Sequence, residues 1–154
     1  MNNKEKRLVA HLKKRGMTIT TAESCTGGMI ASDIISVDGA SDVIKGAFVT
    51  YSDEMKVKEL GVKARDIKKY SAVSSRVAYE MAMGAKAKTG ANVALATTGY
   101  AGPTGELVGL VYIAVCVGSE IKVYRFKFKG GRQRIRRLAA DTAMCLVIKE
   151  IGKR

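Results

Sequence analysis

Leu8, Val9 and Leu12 share one face of a stretch whose other face carries lysines, which predicts an amphipathic helix over residues 4 to 15, ended by Gly16. Met17 to Thr21 reads as a first strand. Met29 to Val37 suits a helix that starts within or just after the turn at Ser24 and is broken by Asp38-Gly39. Val43 to Thr50 predicts a second strand, closed by Tyr51-Ser52. Ser52-Asp53-Glu54 is a helix start, an N-cap hydroxyl followed by carboxylates in the first turn. That helix carries Lys56 and ends at Gly61, and Asp66 to Tyr70 adds a further turn. Ser74 caps a longer helix, in which Ala78, Met81, Ala82 and Ala85 repeat at helical spacing until Gly90 stops it.

The second half continues the alternation. Asn92 to Thr98 is a short apolar strand followed by the glycine-rich Gly99 to Gly105. Gly109 to Val117 and Ile121 to Phe128 are two more strands, joined as a hairpin through Gly118-Ser119-Glu120. The last helix begins near Arg132 and places Ile135, Leu138, Ala139, Thr142 and Leu146 on one face. Strands alternating with helices, plus one late hairpin, predict an α/β layered fold with a mixed sheet. No repeat, linker or low-complexity segment divides residues 1–154, so one domain is expected.

Composition narrows the class. At 154 residues, 47% hydrophobic and with a single proline, the chain can bury a core without disulfides or metals. No apolar run approaches a bilayer span, and Met1 to Arg7 lacks the apolar centre of a signal peptide, so no membrane role and a cytoplasmic location are expected. Cys25, Cys116 and Cys145 are widely spaced, as reduced thiols are; Cys116 and Cys145 read as small core residues. The net charge of +13 invites a nucleic-acid reading, but the basic residues are spread over most of the chain. With no tryptophan and no aromatic-basic platform, specific nucleic-acid binding is not expected. A negatively charged small molecule satisfies the same bias. The one dense cluster, Arg132, Arg134, Arg136 and Arg137, either grips a phosphate or forms a solvated basic face.

Candidate chemistry centres on Ala22-Glu23-Ser24-Cys25-Thr26-Gly27-Gly28, a strand-to-helix turn that gathers three nucleophilic side chains and ends in two glycines. Such a turn can hold a nucleophile or an anion against backbone N–H groups; it can also be only a capped helix start. His11 is the only histidine and sits among lysines in the first helix, so a histidine base for Ser24 is not expected. Lysine is the alternative base, provided that desolvation or a positive potential keeps part of it neutral. Lys56, near the positive end of its helix dipole, meets one of those conditions, while Asp53 and Glu54 oppose it. As an isolated residue it would be a solvated surface lysine. Cys25 is a rival nucleophile, since thiols at helix starts can be acidic. Thr97 and Thr98 stand at the mouth of the Gly99 loop, which can line the same crevice.

Thr21 to Gly28, Gly46-Ala47-Phe48-Val49-Thr50-Tyr51-Ser52, Lys56 with Leu60-Gly61-Val62, Ala72-Val73-Ser74, the Thr98 to Pro103 loop, and Val108-Gly109 with Val111-Tyr112 together resemble the C-terminal domain of competence/damage-inducible protein CinA. The resemblance runs in order from about residue 4 to residue 150. It implies an amidohydrolase that deamidates nicotinamide mononucleotide to nicotinic acid mononucleotide and ammonia, without metal or cofactor. It also implies a three-layer α/β/α sandwich around a mixed, mostly parallel sheet, similar to anticodon-binding domains. By the same resemblance Ser24 is the nucleophile, Lys56 its base, and Tyr51 a tyrosine that holds or relays the proton. Cys25, Thr26, Gly27 and Gly28, with Thr98 and Gly99, would line the substrate and oxyanion site, and Arg132 would meet the phosphate. Larger relatives carry a nucleotide-processing domain ahead of this one, which these 154 residues do not include. The chain departs from the family where the loop usually continues past Gly-Pro with paired glycines, a polar stretch and Lys-Pro. Here Pro103-Thr104-Gly105-Glu106-Leu107 runs directly to Val108-Gly109, and Leu110 replaces a small hydroxyl residue. The alternative reading is a nucleotide-binding module with the same pocket and little or no turnover. Apolar strand edges and small-residue helices lead to the expectation of a homo-oligomer.

Overall fold

The computed structural model describes residues 3–154; Met1 and Asn2, the first residues of the start read as lacking a leader, lie outside the described residues. Its strands are β1 (Ile19–Glu23), β2 (Ile44–Val49), β3 (Val93–Gly99), β4 (Leu110–Val117) and β5 (Glu120–Lys127). Its helices are α1 (Lys4–Lys14), α2 (Met29–Ile35), α3 (Asp53–Leu60), α4 (Ala64–Tyr70), α5 (Ser75–Thr89) and α6 (Arg132–Gly152), with one 3₁₀ turn at Ala40–Asp42. The strands form a single sheet in the order β2-β1-β3-β4-β5. β1 pairs parallel with both β2 and β3, and the β4–β5 hairpin continues the sheet antiparallel.

Helices cover both faces. On one, Leu8, Leu12, Ile30, Ile34, Ile135, Met144 and Val147 of α1, α2 and α6 join Ile19, Leu95 and Ile113 of the sheet. On the other, Leu60, Val77, Met81 and Ala85 of α3 and α5 pack on Ala22, Ala94, Ala96 and Cys116. The fold is therefore the expected α/β layered arrangement around a mixed sheet. Among the described residues no helix is long and apolar enough to cross a membrane.

Three details differ from the sequence reading. β1 runs two residues further than Met17 to Thr21, taking in Ala22 and Glu23. It lies between two neighbours, so Thr20, Thr21 and Glu23 are buried with the apolar residues and the polar side chains hide its extent. The buried stripe of α6 is turned toward Ala140, Ala143, Met144 and Val147, leaving Leu138, Thr142 and Leu146 half-buried beside it. Cys145 consequently faces solvent and is not a core residue, whereas Cys116 is buried. The 3₁₀ turn after Gly39 and the first residues of α4 carry no apolar period of their own.

Candidate active site

The carboxyl ends of the parallel strands open into one crevice, where ligands of open α/β sheets bind. β1 ends at Glu23 and runs straight into the Ser24 turn. β2 leads through Thr50 and Tyr51 into α3, and β3 leads through Thr98 and Gly99 into the glycine-rich loop. A cavity of about 340 Å³ lies there, lined by Ser24, Cys25, Tyr51, Asp53, Lys56, Ala72, Val73, Thr98 to Gly102, Thr104 and Arg132.

Lys56 is the unexpected burial. It is 2% exposed, and its Nζ lies 3.1 Å from Ser24 Oγ and 3.0 Å from the Thr50 carbonyl oxygen. Ser52 starts α3 by accepting the Met55 N–H with its hydroxyl, and the fourth helical position then faces back onto the sheet end. Burial lowers the Lys56 amine from its ordinary value, against the pull of Asp53 and Cys25. Cys25 is also buried, and that burial pushes its thiol up to about 11 in spite of a hydrogen bond with Thr97. A thiol held there is protonated at neutral pH, which leaves Ser24 as the member of the turn that faces the cavity beside the Lys56 amine.

The turn itself is fastened from three sides. The fully buried Glu23 carboxylate accepts from Thr21 Oγ1, Thr26 Oγ1 and the N–H groups of Ile30 and Ala31. Thr26 Oγ1 also meets Thr97 Oγ1 at 2.8 Å, and Ser24 N–H donates to the Thr97 carbonyl. From α6, Arg136 donates to the carbonyl oxygens of Cys25 and Thr26. Gly27 and Gly28 have φ values of 60° and 93°, which favour glycine, and Gly28 caps α2. The helix start read as an anion cradle is thus already occupied, because its first amides are committed to Glu23.

Of the residues predicted for the site, Ser24, Lys56, Cys25, Thr98, Gly99, Tyr51 and Arg132 line one cavity. Thr26, Gly27 and Gly28 lie behind Ser24 in the turn. The Thr98 hydroxyl donates to the Ala72 carbonyl, tying β3 to the segment before α5. The exposed Tyr51 accepts a 2.9 Å hydrogen bond from Arg132 through its hydroxyl, and Arg132 also donates to the Gly102 carbonyl. Tyr51 and Arg132 therefore form a clasp at the rim. Sequence reasoning passed over Glu23 and Arg136. Glu23 carried a signal, a lone charge at the end of an otherwise uncharged strand, whereas Arg136 looks like any member of its basic cluster. Among the described residues, no three His, Cys, Asp or Glu side chains gather into a possible metal site.

The profile of the CinA C-terminal domain matches residues 1–151. A relative in Caldicellulosiruptor saccharolyticus is 44% identical over 151 residues, and a CinA-like protein of Kosmotoga olearia is 44% identical over 147. These alignments cover 96% and 93% of this chain but 37% and 36% of the relatives, so the chain spans about a third of their length. The solved structure of a CinA superfamily protein from Klebsiella pneumoniae superposes with a TM-score of 0.96 at 32% identity, over 100% of both chains. The competence/damage inducible protein CihA of Agrobacterium tumefaciens gives 0.92 at 34%, over 97% of this chain and 96% of its own.

Proposed function

The chain belongs to the CinA C-terminal domain family, and on that premise we propose that it is an amidohydrolase converting nicotinamide mononucleotide to nicotinic acid mononucleotide and ammonia. One observation carries the reading: a buried lysine amine stands 3.1 Å from a serine hydroxyl inside a cavity with an arginine at its rim. Burial favours the neutral amine, and the Thr50 carbonyl takes one of its N–H groups, so the lone pair can turn to the Ser24 hydroxyl.

Ser24 gives its proton to Lys56 as Oγ attacks the carboxamide carbon. Backbone N–H groups of the turn stabilise the oxyanion. The Lys56 ammonium returns the proton to the departing nitrogen, ammonia leaves, and an acyl-serine remains. Water, deprotonated by Lys56, then attacks the acyl carbon; the C–Oγ bond breaks, the Lys56 ammonium returns the proton to Ser24 Oγ, and the acid leaves, losing its own proton to solvent. Arg132 receives the substrate phosphate and lets go of Tyr51, so that the rim clasp opens on binding. Released by Arg132, Tyr51 stands on the cavity wall with Ser24 and Lys56, where it holds or relays the proton.

The test follows ammonia released from nicotinamide mononucleotide by the wild type, Ser24→Ala and Lys56→Ala. Turnover in the wild type and at least a thousandfold loss in each variant are expected, the scale seen when a nucleophile or its base is removed. Full activity in either variant overturns the mechanism. Tight nucleotide binding with no ammonia from the wild type would identify a binding module instead.

A further inference from the structure

The positive end of α2 is not available to an anion forming at Ser24. Its amides at Ile30 and Ala31 donate to the Glu23 side chain, which takes up the donors of that helix start. An oxyanion beside Ser24 therefore draws nothing from that helix start; besides the Lys56 ammonium, its further compensation must come from another element.

Arg136 occupies the position to give it. One turn into α6, its Nε donates to the Cys25 carbonyl at 3.0 Å and its Nη2 to the Thr26 carbonyl at 3.2 Å. Nη1 is anchored on Gln133 Oε1 at 2.9 Å. The guanidinium packs so closely that a Cβ on Gly27 would stand 3.0 Å from Nη2. In a planar trans peptide the C=O and N–H point in opposite directions. With the Cys25 and Thr26 carbonyls turned to Arg136, the N–H groups of Thr26 and Gly27 point away from its guanidinium. Gly27 N–H is committed to the Ser24 carbonyl, and Ser24 N–H to that of Thr97. Thr26 N–H belongs to the peptide whose oxygen Arg136 holds. A cation on the oxygen of a peptide strengthens the donor at its other end.

We propose that Arg136 is a positioning residue for the oxyanion hole: it orients and polarises the Cys25–Thr26 peptide so that the Thr26 N–H meets the charge developing when Ser24 attacks. The inference rests on the reading of Ser24 as an acyl-transfer nucleophile. Arg136 does not line the cavity, which separates it from Arg132, one turn earlier on the same helix.

A fluorophosphonate probe tests this without the amide substrate. Ser24 Oγ forms a bond to phosphorus, the P–F bond breaks, fluoride leaves, the serine proton passes to Lys56, and the phosphoryl oxygen takes the oxyanion position. Labelling at Ser24 is followed by intact mass for the wild type, Ser24→Ala, Arg136→Gln, Arg136→Lys and Arg136→Ala. Thermal midpoints show which variants are folded. Arg136→Gln and Arg136→Ala should label roughly tenfold to a hundredfold more slowly, somewhat less than the loss of a direct oxyanion donor. Arg136→Lys should fall between them and the wild type, and millimolar guanidinium should partly restore Arg136→Ala. Amide turnover should lose kcat with KM unchanged. Labelling of the folded variants within about twofold of the wild type overturns the proposal, as does a loss that guanidinium leaves untouched. A folded wild type that is not labelled at Ser24 overturns the nucleophile reading and this inference together. A silent wild type and fast variants are thus distinguishable failures.

Discussion

Burial destabilises the Lys56 cation, and on the proposed mechanism the same burial is what makes the amine a base. The unfolded chain holds the proton up to about 10.5, and the fold releases it at lower pH. Between those two values the unfolded state binds more protons, so stability rises with pH; below them the burial penalty is present in full. Activity that needs the neutral amine should rise with pH along one ascending limb, its midpoint below 10.5, in kcat/KM measured across pH 6 to 11. A flat profile, or a midpoint at or above 10.5, would rule Lys56 out as the base. Lys56→Met should abolish turnover across that pH range. By calorimetry at pH 7 it should be no more than about 1 kcal/mol less stable than the wild type, because a buried cation is replaced by an apolar chain of similar length. The burial of Lys56 was not legible in its own residue type or spacing. Lysines are solvated by default; the helix start made this one a candidate base, and the resemblance favoured it over the solvated reading.

At the scale of elements, the Ser24–Lys56 distance depends on how α3 rests against α5. The two helices approach so closely that a Cβ on Gly84 would stand 1.9 Å from the Leu60 carbonyl oxygen. No rotamer relieves a clash with backbone, so α3 must move. Gly84→Ala should cost about 1 to 3 kcal/mol in denaturant unfolding, the usual range for overpacking. Because Lys56 travels with α3, kcat should fall roughly tenfold or more while Ser24 stays in place, a loss typical of about 1 Å of misplacement. Unchanged kcat in a destabilised variant would show that α3 does not set the dyad. Elements with a period of their own were legible: α1, α5 and the β4–β5 hairpin lie close to where their apolar spacing and turn glycines put them. The end of β1 and the orientation of α6 were not. The first is masked by Thr20, Thr21 and Glu23, buried polar residues whose partners come from other elements. The second depends on α6 packing against both α1 and the sheet, so no single stripe of spacing describes it.

Across the whole molecule the same division holds. The order of layers follows from local alternation of strand and helix, whereas the clamp that Arg136 places on the turn joins it to Thr26, 110 positions away. No local pattern encodes such a contact. Charge behaves alike: composition gives +13, but only the fold shows which acids are neutralised. Asp33 and Asp141 are taken by Arg137, Asp66 and Glu80 by Arg76, and Glu150 by Lys122 and Lys153. With those acids paired, the excess of cations dominates the field beyond the surface, and an anion entering the Arg132 rim does so under attraction from the whole chain. Raising ionic strength from about 20 to about 300 mM shortens the screening length from about 20 Å to about 6 Å. The kcat/KM for a phosphorylated amide should therefore fall roughly threefold or more over that range, with kcat constant. A neutral amide analogue without the phosphate should show no such fall. Equal salt dependence for the two substrates would mean that the positive field plays no part in capture and that salt acts on the fold or on the dyad itself.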